Sequence, residues 1–164
     1  MSKHRHSKII FIAVAFLATA LFASCFPDTV FYQYHSTSLK GWDRVDKLEF
    51  SVPVVNNSGY YLEEIGVRTD GRYPFRTLSL VVDQTVVATA GHRIVPQRSD
   101  TLELEIYDDS GKPLGDGVSI KQHVVPFRNI QLETGDSIFV SIHHNMRRAS
   151  LEGVAGIGLK VTEY

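Results

Sequence analysis

The feature that most restricts the fold of this chain is an alternation of apolar and polar residues at a period of two. In its clearest example, residues 100–107, Leu102, Leu104 and Ile106 are separated by polar side chains. This alternation is typical of a half-buried antiparallel strand, because successive side chains of a strand point to opposite faces of the sheet. The pattern predicts strands at residues 29–34, 47–54, 60–68, 78–83, 85–89, 100–107, 118–123, 129–132, 136–144 and 156–163.

Residues that favour tight turns separate the predicted strands, combining Gly with Asn, Asp, Ser or Thr. Three such segments are 56–59, 109–111 and 134–136. About ten short strands connected in this way predict an all-β fold, an antiparallel β-sandwich of the jelly-roll type. Helical turns could occupy residues 36–46 or 145–151, but neither segment has a strong helical period. We therefore expect one β-sandwich domain over residues 30–164.

The first 25 residues have the organisation of a secretory signal that ends at a cysteine. Three basic residues (Lys3, Arg5 and Lys8) precede an apolar run at residues 9–23, and Ser24 then leads to the only cysteine of the chain, Cys25. A basic region, a short apolar region and small residues before the cleavage site are the parts of such a signal. A lone cysteine directly after them predicts bacterial lipoprotein processing, in which Cys25 receives lipid and becomes the new N-terminus.

This interpretation makes residues 1–24 a cleaved signal helix and residues 25–29 an acylated tether. Two alternatives stay open. The apolar run of 15 residues would form a helix of roughly 22 Å, shorter than the ~30 Å hydrocarbon core, so a transmembrane anchor would need tilt or a thinner bilayer. The segment could also be an ordinary cleaved signal in which Cys25 has no role. Phe22 stands three residues before the cysteine, where lipoprotein signals usually have Leu.

The charge balance argues against nucleic-acid binding. The chain has 17 Lys and Arg against 18 Asp and Glu, and three of the basic residues precede Cys25. The remainder therefore carries a net charge of −4, whereas binding by counterion release requires a basic face. The remainder also lacks a polybasic segment for anionic lipids. Attachment to the membrane would therefore depend on the acyl chains of Cys25.

The sequence contains no recognisable catalytic or metal-binding motif. There is no G-x-S-x-G elbow, and an acylated Cys25 can act neither as a nucleophile nor as a metal ligand. His143 and His144 are neighbours on a predicted strand, so their side chains point to opposite faces and cannot chelate one ion. The loop at residues 108–117 has neither the residue order of a phosphate loop nor that of a calcium loop. We expect no metal, no cofactor and no enzymatic activity, although carboxylates from distant strands could still form a glycosidase pair.

Aromatic residues cluster in two parts of the chain, residues 26–42 and 60–75. In a sandwich most of these side chains are expected to fill the core. Exposed aromatic rings, however, can stack on sugar rings. A glycan-binding lipoprotein, similar to a carbohydrate-binding module, is therefore the alternative function, and an aromatic surface in a groove would favour it.

Several short runs follow one another in a characteristic order after Cys25. They are Phe31–Ser36 followed by Trp42, Val67-Arg68, Arg72–Leu78, Asp100–Leu102, Tyr107–Gly115, Met146-Arg147, Leu151, Gly153-Val154 and Gly158-Leu159. Together these runs resemble the gliding-motility lipoprotein GldH family of Bacteroidetes, a phylum in which lipoprotein signals without the usual Leu are common. The resemblance implies a membrane-anchored accessory lipoprotein of the gliding apparatus, without catalytic activity of its own.

The resemblance also implies a function through contact with other proteins of the envelope or the gliding apparatus, and no small-molecule ligand. The candidate partner contacts are Trp42, Tyr73, Met146 and Arg147. For each of them the structural alternative is core packing or a local ion pair. A run of acidic residues after the cysteine often directs such lipoproteins to the cell surface, and here Asp28 stands alone. We therefore expect a domain that faces the periplasm and is anchored in the outer or inner membrane.

Overall fold

The computed structural model describes residues 28–88 and 97–164, in which the regular secondary structure is entirely β-strand. The strands are β1 (Asp28–Ser36), β2 (Trp42–Asp43), β3 (Leu48–Val52), β4 (Gly59–Asp70), β5 (Thr77–Val87), β6 (Arg98–Glu105), β7 (Ile120–Leu132), β8 (Ser137–His144), β9 (Ser150–Leu151) and β10 (Val154–Glu163). The predicted signal peptide at residues 1–24 and Cys25 lie outside the described residues. Within the described ranges, no helix is long and apolar enough to cross a membrane.

Eight of the strands form two antiparallel sheets that enclose one core. Sheet I has the order β1-β10-β4-β7, and sheet II has the order β3-β8-β5-β6. Along the chain, every connection between these eight strands passes from one sheet to the other except the β5–β6 hairpin. This alternation is a jelly-roll topology, which confirms the predicted antiparallel β-sandwich. The remaining strands, β2 and β9, pair with each other.

The sandwich has two distinct ends. The proximal end, where the described chain begins, consists of Asp28, residues 53–58, residues 133–136 and Tyr164. The distal end consists of residues 37–47, 71–76, 106–119 and 145–153. At the proximal end the Val55 N–H donates to the Asp136 carbonyl at 2.8 Å. At the distal end the Arg44 N–H donates to the Ala149 carbonyl at 2.7 Å. Backbone hydrogen bonds therefore tie together segments that are distant in sequence at both ends.

The core is built from the alternate residues that the period-two pattern identifies. Leu78, Leu80 and Val82 of β5 face inward from sheet II, and Ile65 and Val67 of β4 face inward from sheet I. Each of these side chains is almost completely buried, and burying an aliphatic side chain of this size contributes about 1.5–3 kcal/mol. The alternation therefore fixes which face of each strand points to the other sheet.

One polar network crosses this core. The Glu63 side chain of β4 is 1% exposed, and Gln84 Nε2 of β5 donates to its carboxylate at 2.6 Å. Arg128 of β7 donates to the Gln84 amide oxygen and to the carboxylate of Asp100. Burial raises the pKa of Glu63 to about 7, against the opposing effects of the Arg128 charge and the Gln84 hydrogen bond. The network links sheet I to sheet II through hydrogen bonds rather than apolar contact.

Two observed strands each join a pair of predicted ones. β5 continues through Gln84, whose polar side chain interrupts the apolar pattern yet faces the core. β7 continues through Pro126, which lies at a register shift opposite Glu63 and Glu64. Because β7 is an edge strand of sheet I, the missing N–H of a proline is tolerated there. The two segments with helical potential contain no helix and hold β2 and β9 instead.

Candidate functional site

Trp42 lies at the distal end but belongs to its interior. Its side chain is 1% exposed, and its indole Nε1–H donates to the Asp46 carbonyl at 2.9 Å. The ring packs edge-on against His144, with 5.2 Å between the ring centroids. In this structure Trp42 therefore offers no aromatic surface to a partner, because the pairing of β2 with Leu151 of β9 turns it toward the core.

His144 is held in one neutral form beside Trp42. Its Nε2 lies 3.2 Å from the Trp42 carbonyl, which can only accept, so Nε2 carries the proton. Its Nδ1 accepts the Met146 N–H at 3.4 Å. Burial lowers the pKa of His144, which favours the uncharged ring. This histidine is a packing and hydrogen-bonding residue of the distal end.

Tyr73 is also buried at the distal end, with 2% of its surface exposed. Its hydroxyl donates to the Thr77 carbonyl at 2.8 Å, and its own carbonyl accepts the Tyr107 hydroxyl at 3.0 Å. Gly153 approaches its backbone so closely that a Cβ there would overlap the Tyr73 nitrogen, and the φ of Gly153 is 78°. Tyr73 thus contacts both residues 106–119, through Tyr107, and residues 145–153, through Gly153. Like Trp42, it is not a surface residue.

Met146 and Arg147 lie nearer the surface of the same end. Met146 is half-buried against the core, and its sulfur accepts the Ser79 N–H at 3.4 Å. Arg147 is exposed, and its carbonyl accepts a hydrogen bond from the Arg44 guanidinium at 2.7 Å. The structure therefore brings all four candidate contact residues to the distal end, and of the four only Arg147 is exposed.

We define the distal patch as Leu39, Arg44, Val45, Arg147 and Arg148. All five side chains are exposed, and they stand on two segments, residues 37–47 and 145–153, that hydrogen bond to each other. In the part of the chain that the structure describes, none of the three arginines of the patch forms an ion pair with a carboxylate. The distal patch thus combines exposed aliphatic surface with unpaired positive charge.

A second feature lies on the outer face of sheet I, where two glycines make a shallow groove. In the register of β1, β10 and β4, Tyr34 stands beside Gly158, which stands beside Gly66. The Tyr34 ring lies over these glycines: a Cβ on Gly158 would come within 2.6 Å of the ring, and a Cβ on Gly66 would collide with the hydroxyl. The Arg68 guanidinium lies above the ring, 3.8 Å from its centroid.

The next row of this face places Tyr32, Lys160 and Glu64 side by side. Lys160 Nζ and the Glu64 carboxylate form an ion pair at 2.8 Å. A cavity of about 310 Å³ lies between the two rows and is lined by both tyrosines and by the ion pair. Sequence reasoning missed this groove, although glycines inside strand patterns, at residues 66 and 158, are a recognised signal of close approach.

A family model described as GldH lipoprotein matches residues 29–161 of this sequence. The chain belongs to the GldH lipoprotein family. The gliding motility lipoprotein GldH of Flavobacterium johnsoniae is 25% identical over 158 residues, which cover 92% of this chain and 94% of that protein. The predicted family is therefore confirmed, and the matched region includes the groove and the distal patch.

The GldH-family sandwich shows no grouping typical of a metal centre within its described residues: no three His, Cys, Asp or Glu side chains come together there. His123 of β7 is buried, and its Nε2 lies 3.3 Å from the Thr69 hydroxyl. Burial lowers its pKa. We take the distal patch and the groove on sheet I as the candidate functional surfaces.

Proposed function

We propose that this GldH-family protein is a lipid-anchored, non-enzymatic envelope lipoprotein that acts by docking another protein of the gliding apparatus at its distal end. Its family and the lipoprotein signal that ends at Cys25 support the anchor. The curated relative is named a gliding motility lipoprotein, which supports a role in that apparatus. The observation that carries the docking proposal is the distal patch, with its unpaired arginines and exposed aliphatic side chains.

The predicted anchor at Cys25 would lie at the opposite end of the sandwich from the distal patch. Cys25 stands three residues before Asp28, the first residue of β1, and three residues reach at most about 11 Å. The proximal end would therefore rest against the membrane. The 12 residues of β4 span roughly 35–40 Å from one end to the other. The distal patch is thereby directed away from the lipid and toward other envelope proteins, from a periplasm-facing domain.

The proximal end has a surface that suits this orientation. Tyr60 and Tyr164 are both exposed there, and the Tyr164 N–H donates to the Tyr60 carbonyl at 3.2 Å. Tyrosine has an apolar ring and a polar hydroxyl, a combination enriched at membrane–water interfaces. The two rings would lie at the level of the lipid head groups when the acyl chains of Cys25 are inserted.

The composition of the distal patch specifies the chemistry of its partner. Arginine is enriched in protein interfaces because its planar guanidinium binds carboxylates with two parallel hydrogen bonds. Among the described residues Arg147 forms no ion pair, and the Arg44 guanidinium keeps donors beyond its bond to the Arg147 carbonyl. Leu39 and Val45 add exposed apolar surface at the same end. We therefore expect a partner whose docking surface combines carboxylates with apolar side chains.

Reversing one charge in the patch tests this docking. We expect Arg147→Glu to weaken the partner complex by about tenfold, since an unfavourable charge pair of this kind costs about 1.4 kcal/mol. The measurement is capture of the partner from intact cells by a photo-crosslinking amino acid at Leu39, together with colony spreading or, in a host that does not glide, envelope secretion. Arg98→Glu, at the proximal start of β6, is the matched control. Equal capture and equal motility or secretion in both variants would contradict the proposal.

Removing the predicted lipidation site tests the anchor. We expect Cys25→Ala either to move the protein into the soluble fraction or to leave it unprocessed, because two or three acyl chains supply the membrane affinity. Fractionation and mass spectrometry of the wild type and the variant measure both outcomes. Arg147→Glu should remain membrane-bound, which separates anchoring from docking. A Cys25→Ala protein that is membrane-bound at the mature mass would show that the anchor is not lipid.

A further inference from the structure

The groove on the outer face of sheet I has the size and wall chemistry of a small ligand site. Its volume of about 310 Å³ lies at the lower end of the ~300–1,000 Å³ typical of ligand pockets. Its walls combine the Tyr32 ring with the Glu64 carboxylate, the Lys160 ammonium and the Gln122 amide. Because Gly66 and Gly158 carry no side chains, the Tyr34 ring can lie flat over the two central strands, and it leaves a cavity between itself and the Tyr32–Lys160–Glu64 row.

The charges in the groove favour a neutral ligand. Glu64 and Lys160 neutralise each other at 2.8 Å, so they leave no net charge to attract an ion. Both groups keep hydrogen-bonding capacity beyond this one contact, since an ammonium has three donors and a carboxylate about four acceptor sites. Arg68 keeps its positive charge but does not line this cavity. Its guanidinium lies over the Tyr34 ring, and its Nε donates to the Gln122 amide oxygen at 3.1 Å. A ligand rich in hydroxyl groups, with a donor and an acceptor on each, matches these walls.

Two tyrosines complete the match. Tyr32 is 56% exposed on β1 and holds its ring edge-on to Tyr34, 5.7 Å away between centroids. The negative face of an aromatic ring attracts polarised C–H groups, such as those on the apolar face of a pyranose. The Tyr34 hydroxyl is buried over Gly66. Tyr34 therefore lines the groove with its ring, and Tyr32 is the exposed ring that a ligand can stack on.

We propose that this groove binds a neutral mono- or disaccharide unit of an envelope glycan, with Tyr32 stacking on the sugar and the Glu64–Lys160 pair and Gln122 bonding its hydroxyl groups. The proposal is separate from the docking proposed for the distal patch, because the groove and the patch share no lining residue. The proposal gives the outer face of sheet I a binding function. It also names the residues through which the glycan-binding function considered from the sequence would act.

The test is titration of three neutral disaccharides, N,N′-diacetylchitobiose, cellobiose and mannobiose, into the full-length acylated protein in phosphatidylethanolamine nanodiscs. A sugar-free membrane mimic matters because glycoside detergents would compete for the groove. We expect calorimetry or saturation-transfer NMR to detect at least one of them with a Kd in the millimolar range or tighter, and Tyr32→Ala to weaken that binding by about tenfold or more. Tyr32→Phe, which keeps the ring, should bind as the wild type does.

Tyr60→Ala is the matched control, because Tyr60 is 55% exposed on β4 of the same sheet but lies outside the groove. This variant should bind as well as the wild type. If Tyr32→Ala lowers the unfolding temperature, Lys160→Gln becomes the deciding variant and should also weaken binding. Absence of binding to all three disaccharides overturns the proposal. So does undiminished binding by the folded Tyr32→Ala protein or, where that variant is unstable, by Lys160→Gln.

Discussion

Replacing Trp42 with alanine is expected to lower the free energy of unfolding by about 3–5 kcal/mol. The side chain is 1% exposed, so its truncation removes a large apolar surface and leaves a cavity between β2 and His144. It also removes the indole donor of the Asp46 carbonyl. Both losses fall on the distal end, whose two-residue strands have few backbone hydrogen bonds to compensate.

Chemical denaturation followed by circular dichroism measures this loss, with Trp42→Phe and Arg147→Ala as comparisons. Trp42→Phe keeps part of the ring and should lose less stability. Arg147→Ala changes an exposed side chain and should stay within about 0.5 kcal/mol of the wild type. A Trp42→Ala protein that is as stable as the wild type but no longer captures its partner would show a contact residue instead of a core residue.

The strands and the sandwich follow from local pattern, which is why they could be predicted. The alternation around Leu102 and Leu104 indicates which face of β6 is buried, and this does not depend on which strand pairs with β6. The breaks predicted near Gln84 and Pro126 did not occur because their causes are tertiary. Gln84 is satisfied by Glu63 from the other sheet, and Pro126 is tolerated on an edge strand.

The position of each aromatic side chain depends on contacts that composition does not encode. Trp42 is turned inward by Leu151, more than a hundred residues away in the chain. Tyr73 is covered by the close approach of Gly153. Tyr32, in contrast, is exposed because β1 places it on the outer face of sheet I. Family resemblance identified matching runs, but it did not distinguish the buried aromatic residues from the exposed ones.

The groove depends on register, which is the least predictable property of a sheet. Glu64 and Lys160 become neighbours only because β4 pairs with β10 in one alignment, and a slip of either strand by one residue would turn its side chain toward the core. The sequence shows glycines at alternate positions of β10 and at residue 66 of β4. It does not show that they form a groove, because that depends on the strand order that places Gly66 beside Gly158 under the Tyr34 ring.

The buried carboxyl of Glu63 should make the stability of the sandwich depend on pH. Its pKa is raised from 4.5 to about 7 in the folded protein, chiefly by burial. Folding therefore favours the protonated form, and this contribution is fully present below pH 4.5, the unfolded value. It is lost as the pH rises through the folded pKa. A shift of this size corresponds to about 3 kcal/mol, lost between roughly pH 4.5 and pH 7.

Glu63→Gln isolates this contribution, because an amide resembles the protonated acid and does not ionise in this range. We expect the variant to gain about 3 kcal/mol relative to the wild type between pH 4.5 and pH 8, measured by urea unfolding at each pH. The lowered pKa values of His123 and His144 act on both proteins and cancel in the difference. Glu103→Gln, on the exposed face of β6, controls for the loss of one charge. Parallel curves for the wild type and Glu63→Gln would mean that Arg128 and Gln84 already stabilise the ionised carboxylate, because only an ionisation that both states share leaves no pH dependence in the difference.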